Sequence, residues 1–179
     1  MPKFVALLRG INVGGRNRVP MKPLCAALEA AGLNQVRSYL QSGNIVFASQ
    51  SAEGSLTTTI QDIVEATCHF RPAVVLRRAQ RFRKVAGSHP YLAATDDWTK
   101  LQVGFLDGPP DQAAVRNLKL PSNAPEQFKV SDKEVYVYYP NGLARTKVTG
   151  QFWETRLQQA CTMRNWKTVL ALKQLLEDT

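Results

Sequence analysis

The chain has 179 residues, of which 44% are hydrophobic and 21% charged, and it carries a formal net charge of +9. That length spans one to two domains and can bury a core without staples, and no run of about 18 apolar residues exists to span a bilayer. The charge excess is spread over both halves and favours an anionic partner, whether nucleotide, phosphate or nucleic acid. Cys25, Cys68 and Cys161 form no C-x-x-C pair and only His69 and His89 offer imidazole, so neither a disulfide framework nor a metal centre is expected. No cofactor is expected either. Phe4–Leu8 is too short for a signal-peptide core, which points to a cytoplasmic protein without a membrane partner.

Lys3–Arg9 reads as a strand and residues 10–20 as a loop. Met21, Leu24, Cys25, Leu28 and Ala31 repeat at helical spacing behind Pro20, and Gly32 stops that helix. Gln35–Leu40 and Asn44–Ala48 are β-rich runs around a Ser42-Gly43 turn. Leu56, Ile60, Ile63, Val64 and Thr67 mark a second helix, and Arg71–Arg78 a fourth strand. The order βαββαβ is the ferredoxin-like pattern.

The second half opens with a helical stretch near 80–86. Thr99–Leu106 is strand-like, residues 107–110 break it, and Asp111–Leu118 looks helical. Gln127–Val130 and Glu134–Tyr139 form a hairpin, and Gln151–Cys161 and Trp166–Leu176 read as helices. The expected fold class is therefore α+β with two ferredoxin-like (alpha-beta plait) lobes. The first is βαββαβ over residues 1–80. The second is βαββα plus a C-terminal helix over residues 81–179.

Consecutive elements of such a lobe alternate in direction. The end of the first strand, the turn between the second and third, and the approach to the fourth should therefore share one rim, where loops on a rigid scaffold carry sites. That rim would gather Arg9, Asn12, Gly14, Gly15, Arg16, Asn17 and Arg18 with Gln41, Ser42 and Asn44. Gly10-Ile-Asn-Val-Gly-Gly15 has the spacing of half a phosphate-binding P-loop, but Arg16-Asn17 replaces its lysine and hydroxyl residue. What survives is glycine freedom and a backbone nest for an anion. The alternative is a flexible loop carrying solubilising charge. Gln41, Ser42 and Asn44 offer polar groups at the same rim, or they satisfy their own turn.

Other features admit plainer readings. Cys68 and His69 are neighbours on a helix and diverge by about 100°. Arg77–Lys84 is a basic strand end and helix face. Phe4 and Phe47 are the first lobe's only candidates for an RNA-stacking platform, and its strands are apolar on both faces and want cover on both. Tyr136 and Tyr138 are the better stacking candidates, with core packing as the alternative. In the stretch 162–168, Thr162 or Asn165 would cap the last helix, and Arg164 beside that helix's start would suit a bound anion.

Residues 7–15 (LLRGINVGG), 41–47 (QSGNIVF) and 162–169 (TMRNWKTV) together resemble the bacterial domain-of-unknown-function family 1697, across essentially the whole chain. The resemblance implies two ferredoxin-like lobes and no assigned activity. It implies that the polar motifs recur as a set, so Arg9, Asn12, Asn44, Arg164 and Asn165 become suspects for one composite site. This chain has Ser88-His-Pro-Tyr91 where the family tends to have Asn-Pro-Phe.

Three functions stay open. The first is an anion-binding protein, for nucleotide or nucleic-acid phosphate, with its site at the rim of residues 9–18 and 41–44. The second is a small metal-independent enzyme on a phosphorylated or carboxylated metabolite, with His69 and Glu65 as the rim's acid–base candidates. The third is a structural or assembly module, with the other half of the chain or a partner in a homo-oligomer covering the second sheet faces. No catalytic residue is assigned.

Overall fold

The computed structural model describes residues 1–178. The chain divides into two compact units, one formed by Met1–Lys84 with the residues from Ala171 onward, the other by Val85–Leu170. The boundary expected between residues 80 and 81 falls inside a helix, Ala79–Val85.

The first unit runs β1 (Lys3–Leu8), α1 (Met21–Ala30), β2 (Asn34–Tyr39), β3 (Asn44–Ala48), α2 (Glu53–Cys68), β4 (Val74–Arg78) and into α3 (Ala79–Val85). Its sheet has the order β2-β3-β1-β4, antiparallel throughout. This is the βαββαβ lobe read from the sequence. Helix α1 ends as its glycine dictates. Gly32 takes φ +93° and donates its N–H to the Glu29 carbonyl at 2.9 Å, a conformation that costs a residue with a Cβ.

Alternation along β1 sends Phe4, Ala6 and Leu8 to one face, where Ile45 and Phe47 of β3 join them. Leu24 and Leu28 of α1 and Leu56, Ile60 and Val64 of α2 close this core. Each such side chain, fully buried, stabilises the fold by about 1.5–3 kcal/mol. The opposite face carries Val5, Leu7, Val46 and Val75, and these too are buried. Lys3 shares that face, and its ammonium donates to the Leu176 carbonyl at 3.3 Å. The chain's final helical turns therefore run past this side of the sheet.

The second unit holds two 3-10 turns (Leu92–Ala94 and Trp98–Lys100), then β5 (Leu101–Leu106), α4 (Gln112–Arg116), β6 (Gln127–Ser131), β7 (Glu134–Tyr138), α5 (Gly150–Leu157) and β8 (Cys161–Asn165). The order β6-β7-β5-β8 repeats that of the first sheet. Helix α6 (Trp166–Glu177) follows β8 directly and is divided between the two units. Gly104, mid-strand in β5, leaves room that a side chain would fill, because a Cβ there would lie 2.9 Å from Met163 Sδ and 3.0 Å from Cys161 Sγ.

Strand β8 adds to the expected βαββα. Cys161 does not end a helix, and Thr162 does not cap one; both pair with β5, as Leu106↔Cys161 and Phe105↔Thr162. The two lobes then match in detail. Val5 faces Arg77 in one and Val103 faces Arg164 in the other. Each arginine is buried, and each donates from Nη1 to the carbonyl before it at 2.9 Å. Each strand then enters a helix, with Phe82 and Val169 buried at the same spacing.

Candidate functional site

The alternation of directions brings the expected rim together. Leu8 donates its N–H to the Gly43 carbonyl at 2.8 Å, and Arg9 donates to the Ala73 carbonyl at 2.9 Å. The β1–α1 loop, the β2–β3 turn and the start of β4 thus meet at one edge. Gly43 makes this possible. Its φ is +75°, and a Cβ would fall 2.7 Å from Leu8 Cβ and 2.8 Å from Ile11 Cδ1.

The glycine loop is a small hairpin. Val13 bridges Arg16, the Arg16 N–H bonds the Val13 carbonyl at 3.0 Å, and the Asn12 N–H bonds the Asn17 carbonyl at 3.1 Å. Gly14 and Gly15 sit between them at φ +58° and +73°. Two consecutive positive-φ residues are the requirement of a type I′ turn. The loop projects, leaving Val13 68% exposed with Arg16 and Arg18 on the surface.

Asn12 braces this hairpin. Its side-chain N–H groups reach the Val19 carbonyl at 3.0 Å and the Gln41 carbonyl at 2.6 Å, and its Oδ1 accepts from the Val19 N–H at 2.8 Å. Asn17 donates to the Gly10 carbonyl at 3.0 Å. Asn44, wholly buried, donates to the Tyr39 carbonyl at 2.9 Å and to Ser42 Oγ at 2.8 Å. Asn12, Asn17, Ser42 and Asn44 therefore build the rim. Arg9 is half-buried, and Arg16, Arg18 and Gln41 are exposed on the rim.

Beside the hairpin lies an open cleft of about 490 Å³, lined by Asn12, Gly15, Arg18, Val19, Pro20 and Gln41. Its wall reaches Pro20, the N-cap residue just before α1. Pro20 supplies no side-chain cap there, and the first turn holds no acidic residue. In that first turn Met21 and Lys22 carry backbone N–H groups and Pro23 does not, and a helix start bears a partial positive charge. Val19 and Pro20 were not among the expected site residues. The signal for them was Pro20 standing where Ser, Thr, Asp or Asn would normally cap a helix.

The remaining suspects belong to the second unit. Arg164 and Asn165 belong to β8 in the second unit. Arg164 is 8% exposed and donates to Thr162 Oγ1 at 2.6 Å. Burial lowers its pKa to about 10, so it remains charged at neutral pH. Asn165 caps the last helix, its Oδ1 accepting the Lys167 N–H at 2.9 Å, while its amide reaches the Thr99 carbonyl at 3.0 Å. Of the acid–base candidates, Glu65 is ion-paired to Arg71 at 2.7 Å, and Asp62 meets the same guanidinium at 2.6 Å. His69 is exposed at the left-handed end of α2 (φ 61°), and Cys68 packs against the first core.

The aromatic candidates are packed. Phe4 and Phe47 stack at 5.6 Å inside the helix-facing core. Tyr136 meets His89 edge-on at 5.3 Å, Trp166 meets the same ring at 5.2 Å, and Tyr138 stacks on Tyr91 at 6.4 Å. His89 is buried, with Nε2 3.1 Å from the Gln102 carbonyl and Nδ1 accepting the Tyr91 N–H at 3.3 Å. Those partners fix the neutral tautomer protonated on Nε2, and burial pulls the pKa below the ordinary value. Among the described residues, no group of three or more His, Cys, Asp or Glu could hold a metal ion, and no helix is long and apolar enough to cross a membrane.

A protein built of two such lobes, with its polar loops gathered at a sheet rim, has relatives. The chain belongs to the family described as protein of unknown function (DUF1697), whose sequence profile matches residues 1–136. It is also similar in fold to a solved structure, the conserved bacterial protein SP0830 from Streptococcus pneumoniae. The TM-score is 0.72 at 24% identity, covering 98% of each chain. No curated protein matches the sequence.

Proposed function

We propose that the first lobe binds a phosphate-bearing anion at its rim, in the cleft between the Asn12–Asn17 hairpin, Gln41 and the start of α1. The observation that carries this reading is the cleft itself. It brings an arginine, a positive-φ glycine and the N-cap residue of a helix without a side-chain cap to one concave surface. Anions are favoured at such helix starts. The surrounding charge points the same way. Lys3, Arg9, Arg16, Arg18 and Lys22 precede the first acidic residue of the chain, Glu29.

Of the two ligands considered, the hairpin favours nucleic-acid phosphate over a free nucleotide. It projects beyond the cleft with an exposed Val13 and two flanking arginines, and exposed Leu40 adjoins Gln41. A braced, cationic projection with an apolar tip suits a polymer that lies along it.

The test is fluorescence anisotropy with labelled single-stranded and duplex oligonucleotides at low salt. Wild type binds, with an affinity that falls steeply as salt rises. Arg16→Ala with Arg18→Ala weakens every sequence alike and flattens the salt slope by about 2, close to one unit per lost phosphate contact. Absence of salt-sensitive binding by the wild-type chain ends the proposal.

A further inference from the structure

The two lobes share a strand order, yet several of their connections differ in length, among them the one that follows the third strand. The first lobe passes from β3 to α2 through residues 49–52, whereas the second passes from β7 to α5 through residues 139–149. Connections in compact domains have a median of about 4–6 residues, and longer ones without secondary structure are usually functional or disordered. This one is ordered by its own bonds. Tyr139, buried in the second core, donates its hydroxyl to the Val148 carbonyl at 2.8 Å, and burial keeps that phenol protonated. Gly142 donates its N–H to the Tyr139 carbonyl at 2.9 Å, and Val148 to Thr146 Oγ1 at 3.0 Å. Thr149 then caps α5 by accepting the Phe152 N–H.

That order is not repaid by burial. Tyr139 and Val148 are buried, but Asn141, Leu143, Arg145 and Lys147 are exposed. Holding each backbone residue in place costs about 1–2 kcal/mol. What the loop shapes instead is a groove against residues 121–126. Two cavities of about 370 and 190 Å³ share Pro125, Glu126, Arg145 and Thr146 as walls. The larger alone falls in the size range of small-ligand pockets, about 300–1,000 Å³.

The groove's chemistry is mixed. Thr146 donates its hydroxyl to Glu126 Oε1 at 2.5 Å, which sets the orientation of a half-buried carboxylate in the groove wall. Arg145 lines both cavities with a guanidinium that can bind phosphate through two N–H groups. Lys147 adds a second cation to the smaller cavity and Asn141 an amide to the larger. A bare polyanion would be repelled by Glu126. A bare sugar would leave Arg145 and Lys147 unused. The groups fit a ligand with a phosphate at one end and free hydroxyls at the other.

We infer that this groove in the second lobe is a binding site for a small phosphorylated polyol, such as a sugar phosphate or the sugar-phosphate part of a nucleotide. Arg145 and Lys147 hold the phosphate, and Glu126 accepts hydrogen bonds from the hydroxyls. The lining residues all belong to Val85–Leu170, and none of them is a rim residue.

The test is calorimetry and amide-resolved NMR on the full chain with three probes: ribose 5-phosphate, inorganic phosphate and ribose. Ribose 5-phosphate should bind saturably at millimolar concentration or below, more tightly than either fragment, with shifts confined to residues 121–126 and 139–149. Arg145→Ala should weaken ribose 5-phosphate and inorganic phosphate by about tenfold, a loss of about 1.4 kcal/mol. Glu126→Gln keeps an acceptor for Thr146. It should weaken ribose 5-phosphate by a similar factor and should not weaken inorganic phosphate, for which a repelling charge is removed. Arg16→Ala with Arg18→Ala should change none of these values. Failure of ribose 5-phosphate to bind, equal affinity for inorganic phosphate, wild-type affinity in both groove variants, or shifts centred on residues 9–18 would each overturn the assignment.

Discussion

Gly43→Ala probes the rim where it is most tightly built. The residue sits at φ +75°, with the positions a Cβ would claim already taken by Leu8 and Ile11, both fully buried. An alanine in the left-handed region costs about 1–2 kcal/mol. Forcing Leu8 and Ile11 aside in a packed core costs a further ~1–3 kcal/mol. The sum, ~2–5 kcal/mol, is a large part of the total stability of most domains. Gly14→Ala supplies the control. Gly14 also has positive φ, +58°, but a Cβ there meets nothing within 4 Å. It should cost only the left-handed penalty. Urea unfolding of the two variants beside wild type isolates the close approach as their difference, ~1–3 kcal/mol. If Gly43→Ala is no more destabilising than Gly14→Ala, the packing of Gly43 against Leu8 and Ile11 is wrong, and the account of how the rim is assembled falls with it.

Asn12→Ala strips three hydrogen bonds from the hairpin base and should cost about 1–3 kcal/mol through the groups left unsatisfied; faster tryptic cleavage after Arg16 and Arg18 would report it, and a wild-type cleavage rate would contradict the bracing role. Gly104→Ala, whose Cβ meets Met163 and Cys161, should destabilise the second lobe by about 1–3 kcal/mol; because both neighbours are side chains, Met163→Ala in the same chain should recover part of the loss. His89 is held neutral by burial, with its pKa depressed, so the unfolded chain binds the extra proton first. Its contribution is therefore intact above the unfolded value of 6.5 and is lost as pH falls from there toward the folded value. Wild type should lose more stability than His89→Gln between about pH 7.5 and about pH 5.5, and equal losses would refute the assignment.

The sequence by itself determined the first lobe, because its signals are local. Apolar alternation marks β1 and β3, helical spacing marks α1 and α2, and Gly32 and Gly43 stand where the backbone turns left-handed. From that order alone the directions of the elements follow, and with them the meeting of the β1–α1 loop, the Gln41–Asn44 turn and the start of β4. The resemblance in three short motifs pointed to the same family that the profile match establishes.

Tertiary structure decided the rest. Cys161–Asn165 has no alternating pattern to announce a strand; it becomes one only because Leu101–Leu106 offers an open edge far away in sequence. That pairing fixes Arg164 within the second lobe's sheet, a position that reading it as part of a helix cap could not reveal. Sequence records a polar side chain but not its partner, and only the structure shows that Asn12 and Asn44 bond to groups of the rim itself. Residues 139–149 carry no local signal of a site either. Pro, Asn and Gly are residues that any turn favours, and only the packing of that loop against residues 121–126 brings Glu126 and Arg145 to one groove. Local conformation is written in neighbouring residues, whereas a site is made by distant ones, and the energy that brings those together belongs to strand pairing and core burial.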